Sequence, residues 1–290
     1  MPSTISLRQH LQSNGLLIAP GAYDGIGARL IEQAGFGAVY MTGAGTSAAR
    51  GYPDFGLLTM SEMVDNAAVM ARSVSIPLIA DADTGYGNEL NVTRTVREYE
   101  SRGVAAIHIE DQVSPKRCGH LDGKEVIGRE EFVSKIRAAV EARRTPDFIV
   151  IARTDSRAMV SLEEAVWRAN AAIDAGADMA FVEAPQSAEE VAAIPKKVKG
   201  PCLLNVVPGG RTPVPNLREV EAMGYRLAIL PGVMLKATIE AGDAALTELM
   251  KTKNPPAMSG TVAQTFRGFG GDEWDELRTR FNAGATMERK

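Results

Sequence analysis

Four stretches decide the fold: IEQAGFGAVYM (31–41), YESRGVAAIHIED (99–111), AIDAGADMAFVEA (172–184) and VEAMGYRLAILP (220–231). Each passes from a helix-like end through a glycine into a short apolar burst. Glycine there supplies the left-handed residue that ends a helix. The bursts run for roughly 4–6 residues and are apolar on both faces, as parallel strands covered by helices must be. Between them lie GLLIAPGAYD (15–24), IPLIADAD (76–83), PDFIVIARTD (146–155) and GPCLLNVV (200–207), which bring the strand candidates to eight. Amphipathic segments separate most of these, such as SLEEAVWRANAAIDAG (161–176), with a capping-box start at Ser161 and Glu164.

Eight alternating strand–helix units in about 240 residues predict a (β/α)8 barrel of the TIM type. A doubly wound open sheet is the alternative, but no G-x-G-x-x-G follows the first strand, and the glycines of GAGTSAARG (43–51) are spaced differently. Residues 1–251 are assigned to the barrel. Residues 252–290 are assigned to a linker, TKNPPAMSG (252–260), and additional C-terminal helices that leave Trp274 and Phe281 facing nothing obvious. Helices beyond a closed barrel need a surface to bury them, either on another subunit or on the same chain.

Composition narrows the setting. Of 290 residues, 45% are hydrophobic and 23% charged, the balance of a globular protein. A net charge of −4 does not favour nucleic acid or an acidic membrane surface. Two cysteines, Cys118 and Cys202, are too few for a disulfide framework and suit a reducing compartment. No signal-peptide core or membrane-length apolar run is present, and a cytoplasmic location is expected.

In such a barrel the strand C-termini and the loops after them build the active site. The polar residues that end the bursts are Asp24, Thr42, Asp81 with Asp83, Glu110 with Asp111, Arg153 with Asp155, Glu183 and Asn205. Asp81 and Asp83 share one face of an extended segment. Two carboxylates so close repel unless a cation neutralises them, and Glu110 ends the neighbouring strand. An all-oxygen set suits Mg2+, with Mn2+ possible, rather than zinc. The plainer alternative is an Asp pair capping the next helix or bonding loop amides.

The segment PKRCGHLDGK (115–124) lies in a connection of about eighteen residues, long for a bland connector. C-G-H lacks zinc-ligand spacing and no Cys-x-x-Cys accompanies it. Lys116, Arg117 and His120 around Cys118 favour a thiolate, so the residues alone indicate a reactive thiol, with a structural cysteine as the alternative.

The chain resembles the isocitrate lyase/phosphoenolpyruvate mutase superfamily. PGAYDGIGARLIEQAGFGAVYMTGAGTSA, YPDFGLLT, DADTGYGN, HIEDQVSPKRCGHLDGK and IARTD carry the resemblance in order, from about Gly21 to Pro231. It implies a (β/α)8 barrel in a homotetramer whose C-terminal helices swap between subunits. It implies Mg2+ held chiefly through Asp81, with Asp83 and Glu110 linked partly through water. Thr42, Gly43 and Ala44 would hold a substrate carboxylate, with Asp54, Gly119, Glu183 and Asn205 completing the substrate set. Arg153 would pair with a carboxylate or α-oxygen. Cys118 falls on the lyases' catalytic cysteine, on a mobile gating loop with Lys116 and His120.

That chemistry is coherent: cleaving a 2-hydroxy acid leaves a carboxylate-stabilised carbanion, which a metal and fixed cations stabilise and a thiol can protonate. Two departures bear on the substrate. Methylisocitrate lyases carry Arg after C-G-H, where this chain has Leu121, and Arg at the position of Lys236. Fewer cationic contacts argue for a small dicarboxylate, an alkylmalate or oxaloacetate, rather than a tricarboxylate. After strand seven, NVVPGGRTP has Pro208 in place of the usual Glu and adds Arg211, either toward the substrate or toward solvent. The leading expectation is a Mg2+-dependent carbon–carbon lyase acting on a 2-hydroxydicarboxylate. The alternatives are an oxaloacetate hydrolase or decarboxylase, a phosphorus–carbon enzyme of the mutase branch, and a barrel that only binds metabolites.

Overall fold

The computed structural model describes residues 6–13, 15–119, 121, 123–213, 216–257 and 259–282. Eight strands occupy the eight bursts: β1 Leu17–Ala22, β2 Val39–Met41, β3 Leu78–Asp81, β4 Ala106–Glu110, β5 Ile149–Thr154, β6 Met179–Val182, β7 Cys202–Asn205 and β8 Leu227–Leu230. Every neighbouring pair is parallel, and β1 pairs with β8 to close the barrel. The (β/α)8 expectation therefore holds, and the open sheet is excluded.

Strand parity explains how the core and the site arise from the same segments. Side chains alternate across a strand. In β3, Leu78 and Ala80 pack in one apolar cluster with helix residues such as Val96 and Tyr99. Ile79 instead joins the cluster holding Tyr40, Ile151, Phe181, Leu203 and Ile229, which fills the barrel. The same split runs through β4, where Ile107 and Ile109 lie with the helices and Ala106 with the interior. Continuing each interior row by two residues, or in β4 by four through His108, reaches Thr42, Asp81, Glu110, Arg153, Glu183 and Asn205. The polar rim is thus the top layer of the barrel filling.

The helices are begun by the expected caps. Ser161 accepts a bond from the Glu164 N–H at the start of the helix Leu162–Asp174. The Glu164 carboxylate goes elsewhere, accepting from Arg168 Nε at 2.8 Å and from Arg129, because those cations outcompete the backbone N–H. The glycine-rich segment after β2 forms a short helix, Gly43–Ala49, capped by Thr42.

The chain divides into two compact units, residues 1–238 and 239–290, with the boundary inside the helix Val233–Thr252. The second unit carries the helices Val262–Arg267 and Gly271–Phe281. Neither helix buries a residue, and Trp274 and Phe281 are 71% and 72% exposed. Among the described residues no helix is long and apolar enough to cross a membrane.

Candidate active site

The turn after β3 is built for a tight carboxylate array. Asp83 and Tyr86 hold positive φ angles of 46° and 62°, a conformation non-glycine residues rarely adopt. Asp81 Oδ1 accepts the Asp83 N–H at 2.9 Å, and Tyr99 Oη donates to the Asp81 carbonyl at 3.0 Å. The Asp pair does not cap the next helix, whose start is capped by Asn88. From β2, Gly43 meets this array so closely that a Cβ would lie 2.5 Å from Asp81 Oδ2.

Beneath it, Tyr40 Oη lies 2.8 Å from His108 Nε2, which is 3.6 Å from Asp81 Oδ1. Burial pushes the His108 pKa down to about 4, and the Asp81 charge only partly opposes this. Burial also works against the Asp81 carboxylate, but His108, Lys116 and Arg153 outweigh it and hold the pKa at about 2. For Asp83, burial dominates and, with the Asp81 and Asp54 charges, raises the pKa to about 6 against Lys116. Glu110 is pushed well above the usual carboxylate range by burial, which the Arg153 charge opposes.

Two buried cations hold the acids together. Lys116 Nζ bonds Asp54 Oδ1 and lies 3.0 Å from Asp83 Oδ1. Arg153 Nη1 lies 3.0 Å from Glu110 Oε2, Nε bonds Asp155 Oδ2 at 2.9 Å, and the guanidinium stands over the Phe181 ring at 5.1 Å. Asn205 Nδ2 donates to Glu183 at 3.2 Å. A further layer locks Asp155: its N–H bonds Asp111 Oδ1 at 2.8 Å, and Arg168 Nη1 neutralises Asp111 Oδ2 at 3.1 Å.

The fit to a metal rests on unmet bonding capacity. Both Glu110 oxygens and Asp83 Oδ1 are buried without a directed hydrogen bond among the described residues, although cations stand nearby. Buried acceptors of this kind call for a partner. No three His, Cys, Asp or Glu side chains among the described residues group closely enough to cage an ion directly. An oxygen-only set of this spread fits Mg2+, which keeps several waters and binds through one or two carboxylates. Asp81, Asp83 and Glu110 are the residues that would hold it.

The segment bearing Cys118 is drawn onto this rim. The Cys118 N–H donates to the Asp54 carbonyl at 3.2 Å, and Gly56 sits at φ 63° with room only for hydrogen against the Lys116 N. Gln112 clasps Arg117 through both side-chain amide atoms, at 2.8 and 3.0 Å. A Cβ on Gly119 would lie 2.5 Å from Glu183 Oε1 and 2.6 Å from Arg153 Nη2. Neither cysteine is in a disulfide.

The residues enclose a cavity of about 140 Å³. Thr42, Ala44, Asp54, Asp81, Lys116, Cys118, Gly119, Arg153, Glu183 and Asn205 all line it, with Gly43, Asp83 and Glu110 in the layer behind. His120, the remaining expected site residue, lies outside the described residues. Tyr40, Val207, Pro231 and Leu235 also line the cavity but carry no motif. Strand parity could have found Tyr40, two positions before Thr42; the others look like ordinary apolar loop residues.

Known proteins share this fold and much of this sequence. The family model described as phosphoenolpyruvate phosphomutase matches residues 7–250. The chain is 46% identical over 264 residues to a 2,3-dimethylmalate lyase of Eubacterium barkeri, covering 90% of each. The structure of oxaloacetate acetylhydrolase with the inhibitor 3,3-difluorooxalacetate superposes with a TM-score of 0.92 at 39% identity, covering 95% of this chain and 96% of that one. Phosphonopyruvate hydrolase in complex with oxalate and Mg2+ superposes with a TM-score of 0.87 at 31% identity, covering 97% and 99%.

Proposed function

Because the chain belongs to the phosphoenolpyruvate phosphomutase family, within the isocitrate lyase superfamily, we propose that it is a Mg2+-dependent carbon–carbon lyase. Its substrate is a small 2-hydroxydicarboxylate of the 2,3-dialkylmalate type, cleaved to a 2-oxo acid and a carboxylic acid. The observation that carries this reading is the Cys118 thiol lining the same small cavity as Asp81 and Arg153.

A cavity near 150 Å³ holds one benzene, so a space of about 140 Å³ fits a short-chain acid better than a branched tricarboxylate. Val207, Pro231 and Leu235 add apolar wall that suits alkyl substituents. Bound Mg2+ supplies Lewis-acid stabilisation of the negative charge that develops on the reacting carboxylate and oxygen. The chain's own residues do the rest. Arg153, fixed by Asp155 and Phe181, orients the carboxylate and stabilises its charge without reorganising. Lys116 keeps Asp54 and Asp83 neutralised. As the bond between C2 and C3 breaks, the C2 hydroxyl gives its proton to a carboxylate lining the cavity, C2 becomes the carbonyl carbon and the electron pair stays on C3. Cys118 Sγ–H donates the proton that C3 requires and is left as thiolate.

A panel of 2-hydroxy and 2-oxo dicarboxylates with Mg2+, coupled to lactate dehydrogenase, tests this. A dialkylmalate should release pyruvate or its homologue; silence across the panel contradicts the reading. Similarity to oxaloacetate acetylhydrolase supports a second reading, hydrolysis of oxaloacetate, for which oxalate among the products is the mark. The exposed Trp274 and Phe281 support a homotetramer in which the C-terminal helices cover a neighbouring subunit, and the low cysteine count suits a reducing, cytoplasmic setting.

A further inference from the structure

Lys124 closes the segment that carries Cys118, and its charge is buried to 3% exposure. An ammonium is costly to bury unless it is paired and hydrogen-bonded. Here Nζ donates both to the Gly119 carbonyl and, at 2.9 Å, to Asp155 Oδ1. The first bond ties Lys124 to Gly119, the residue next to Cys118. The second ties Lys124 to Asp155, just beyond the end of β5.

Asp155 is shared. Its Oδ1 also receives Arg153 Nη2 at 3.3 Å and its Oδ2 receives Arg153 Nε at 2.9 Å. One fully buried carboxylate therefore joins the cation facing the substrate to the cation anchoring the loop. Gly119, held by Lys124, is pressed against Arg153 Nη2 and Glu183 so closely that no side chain fits between.

We propose that Lys124 is a positioning residue: bonded at once to Gly119 and Asp155, it latches the Cys118 segment over the cavity and fixes Arg153 through their common carboxylate. This rests on the reading of Cys118 as the proton donor. With the latch made, Cys118 and Arg153 are set relative to each other by one connected set of bonds. Without it, Gly119 loses its tether and Asp155 keeps a single cationic partner.

The test uses the full-length protein and the rate at which iodoacetamide alkylates each cysteine in the absence of substrate. Cys202 is the internal control: it is 1% exposed, and burial pushes its thiol up to about 12. Lys124→Met should raise the Cys118 rate about tenfold, the effect of losing one buried charged bond, while Cys202 stays protected. Lys124→Arg, which keeps the charge, should stay within about threefold of the parent. With a turned-over substrate, Lys124→Met should lower kcat more than it raises KM, because closure belongs to the transition state rather than to initial binding.

A Cys118 rate in Lys124→Met within twofold of the parent, with Cys202 protected, overturns the proposal. Equal acceleration in the Met and Arg variants also overturns it, since charge would then not matter. If Lys124→Met unmasks Cys202, the near-isosteric Asp155→Asn carries the test. It should accelerate Cys118 alone, and no acceleration, or exposure of Cys202 in both variants, overturns the latch. Alkylation needs no turnover, so a protein inactive on every dicarboxylate but showing this pattern would lose the proposed activity and keep the latch.

Discussion

At the scale of single residues the site is controlled by close approach. Gly119 touches both Glu183 and Arg153 at distances that leave no room for a methyl group. Gly119→Ala must displace the loop or the guanidinium by roughly 1 Å to bring a Cβ at 2.5 Å back to ordinary contact. Misplacements of this order cost about 100-fold in rate where geometry supplies the catalysis. We expect kcat/KM to fall by about that factor on the active substrate, with the melting temperature little changed. Steady-state kinetics beside thermal unfolding checks this. Gly43→Ala should act differently, because its Cβ meets the Asp81 carboxylate. It should weaken Mg2+ binding, read by calorimetry as a Kd raised about tenfold or more. Much of this layer was legible in the sequence, since carboxylates and an arginine stand at the ends of apolar bursts. Tyr40 and His108 were not, because one buried aromatic and one lone histidine within strands look like core. Their roles appear only when the interior row is followed across strands.

At the scale of elements, helix and strand are tied by buried charge. The helix Leu162–Asp174 sends Arg168 to Asp111 at 3.1 Å and to the Ile127 carbonyl at 2.9 Å. Removing one member of a buried pair leaves the other uncompensated, at about 3–5 kcal/mol. Arg168→Met should therefore destabilise the protein by ~3 kcal/mol in urea unfolding. A loss near zero would mean that Asp111 finds another partner. The eight strands were readable because both faces of each are covered, which leaves short apolar runs bounded by glycine, proline and aspartate. The bond network was not readable. Ser161 caps its helix as expected and Arg168, one turn on, pairs with Glu164, but the bond from Arg129 reaches Glu164 from 35 residues away. Lys124 likewise reads as one more charge in a polar loop, and only the fold places it on Asp155.

At the scale of the whole molecule, assembly and chemistry each have a direct test. Leu246, Met250, Val262, Phe266, Trp274 and Phe281 are each more than 60% exposed, an apolar load that a solitary chain rarely presents. Light scattering should give four times the mass of one chain, and Trp274→Asp with Phe281→Asp should shift it toward smaller species. A parent protein that stays monomeric at micromolar concentration contradicts the assembly. The chemistry is the central claim, and Cys118→Ser tests it most directly. With a dialkylmalate and Mg2+, the variant should lose about 100- to 10,000-fold in kcat, the range of a removed general acid, while still binding Mg2+. A Cys118→Ser variant that releases product at the parent rate would contradict the account and point instead to chemistry that needs no thiol.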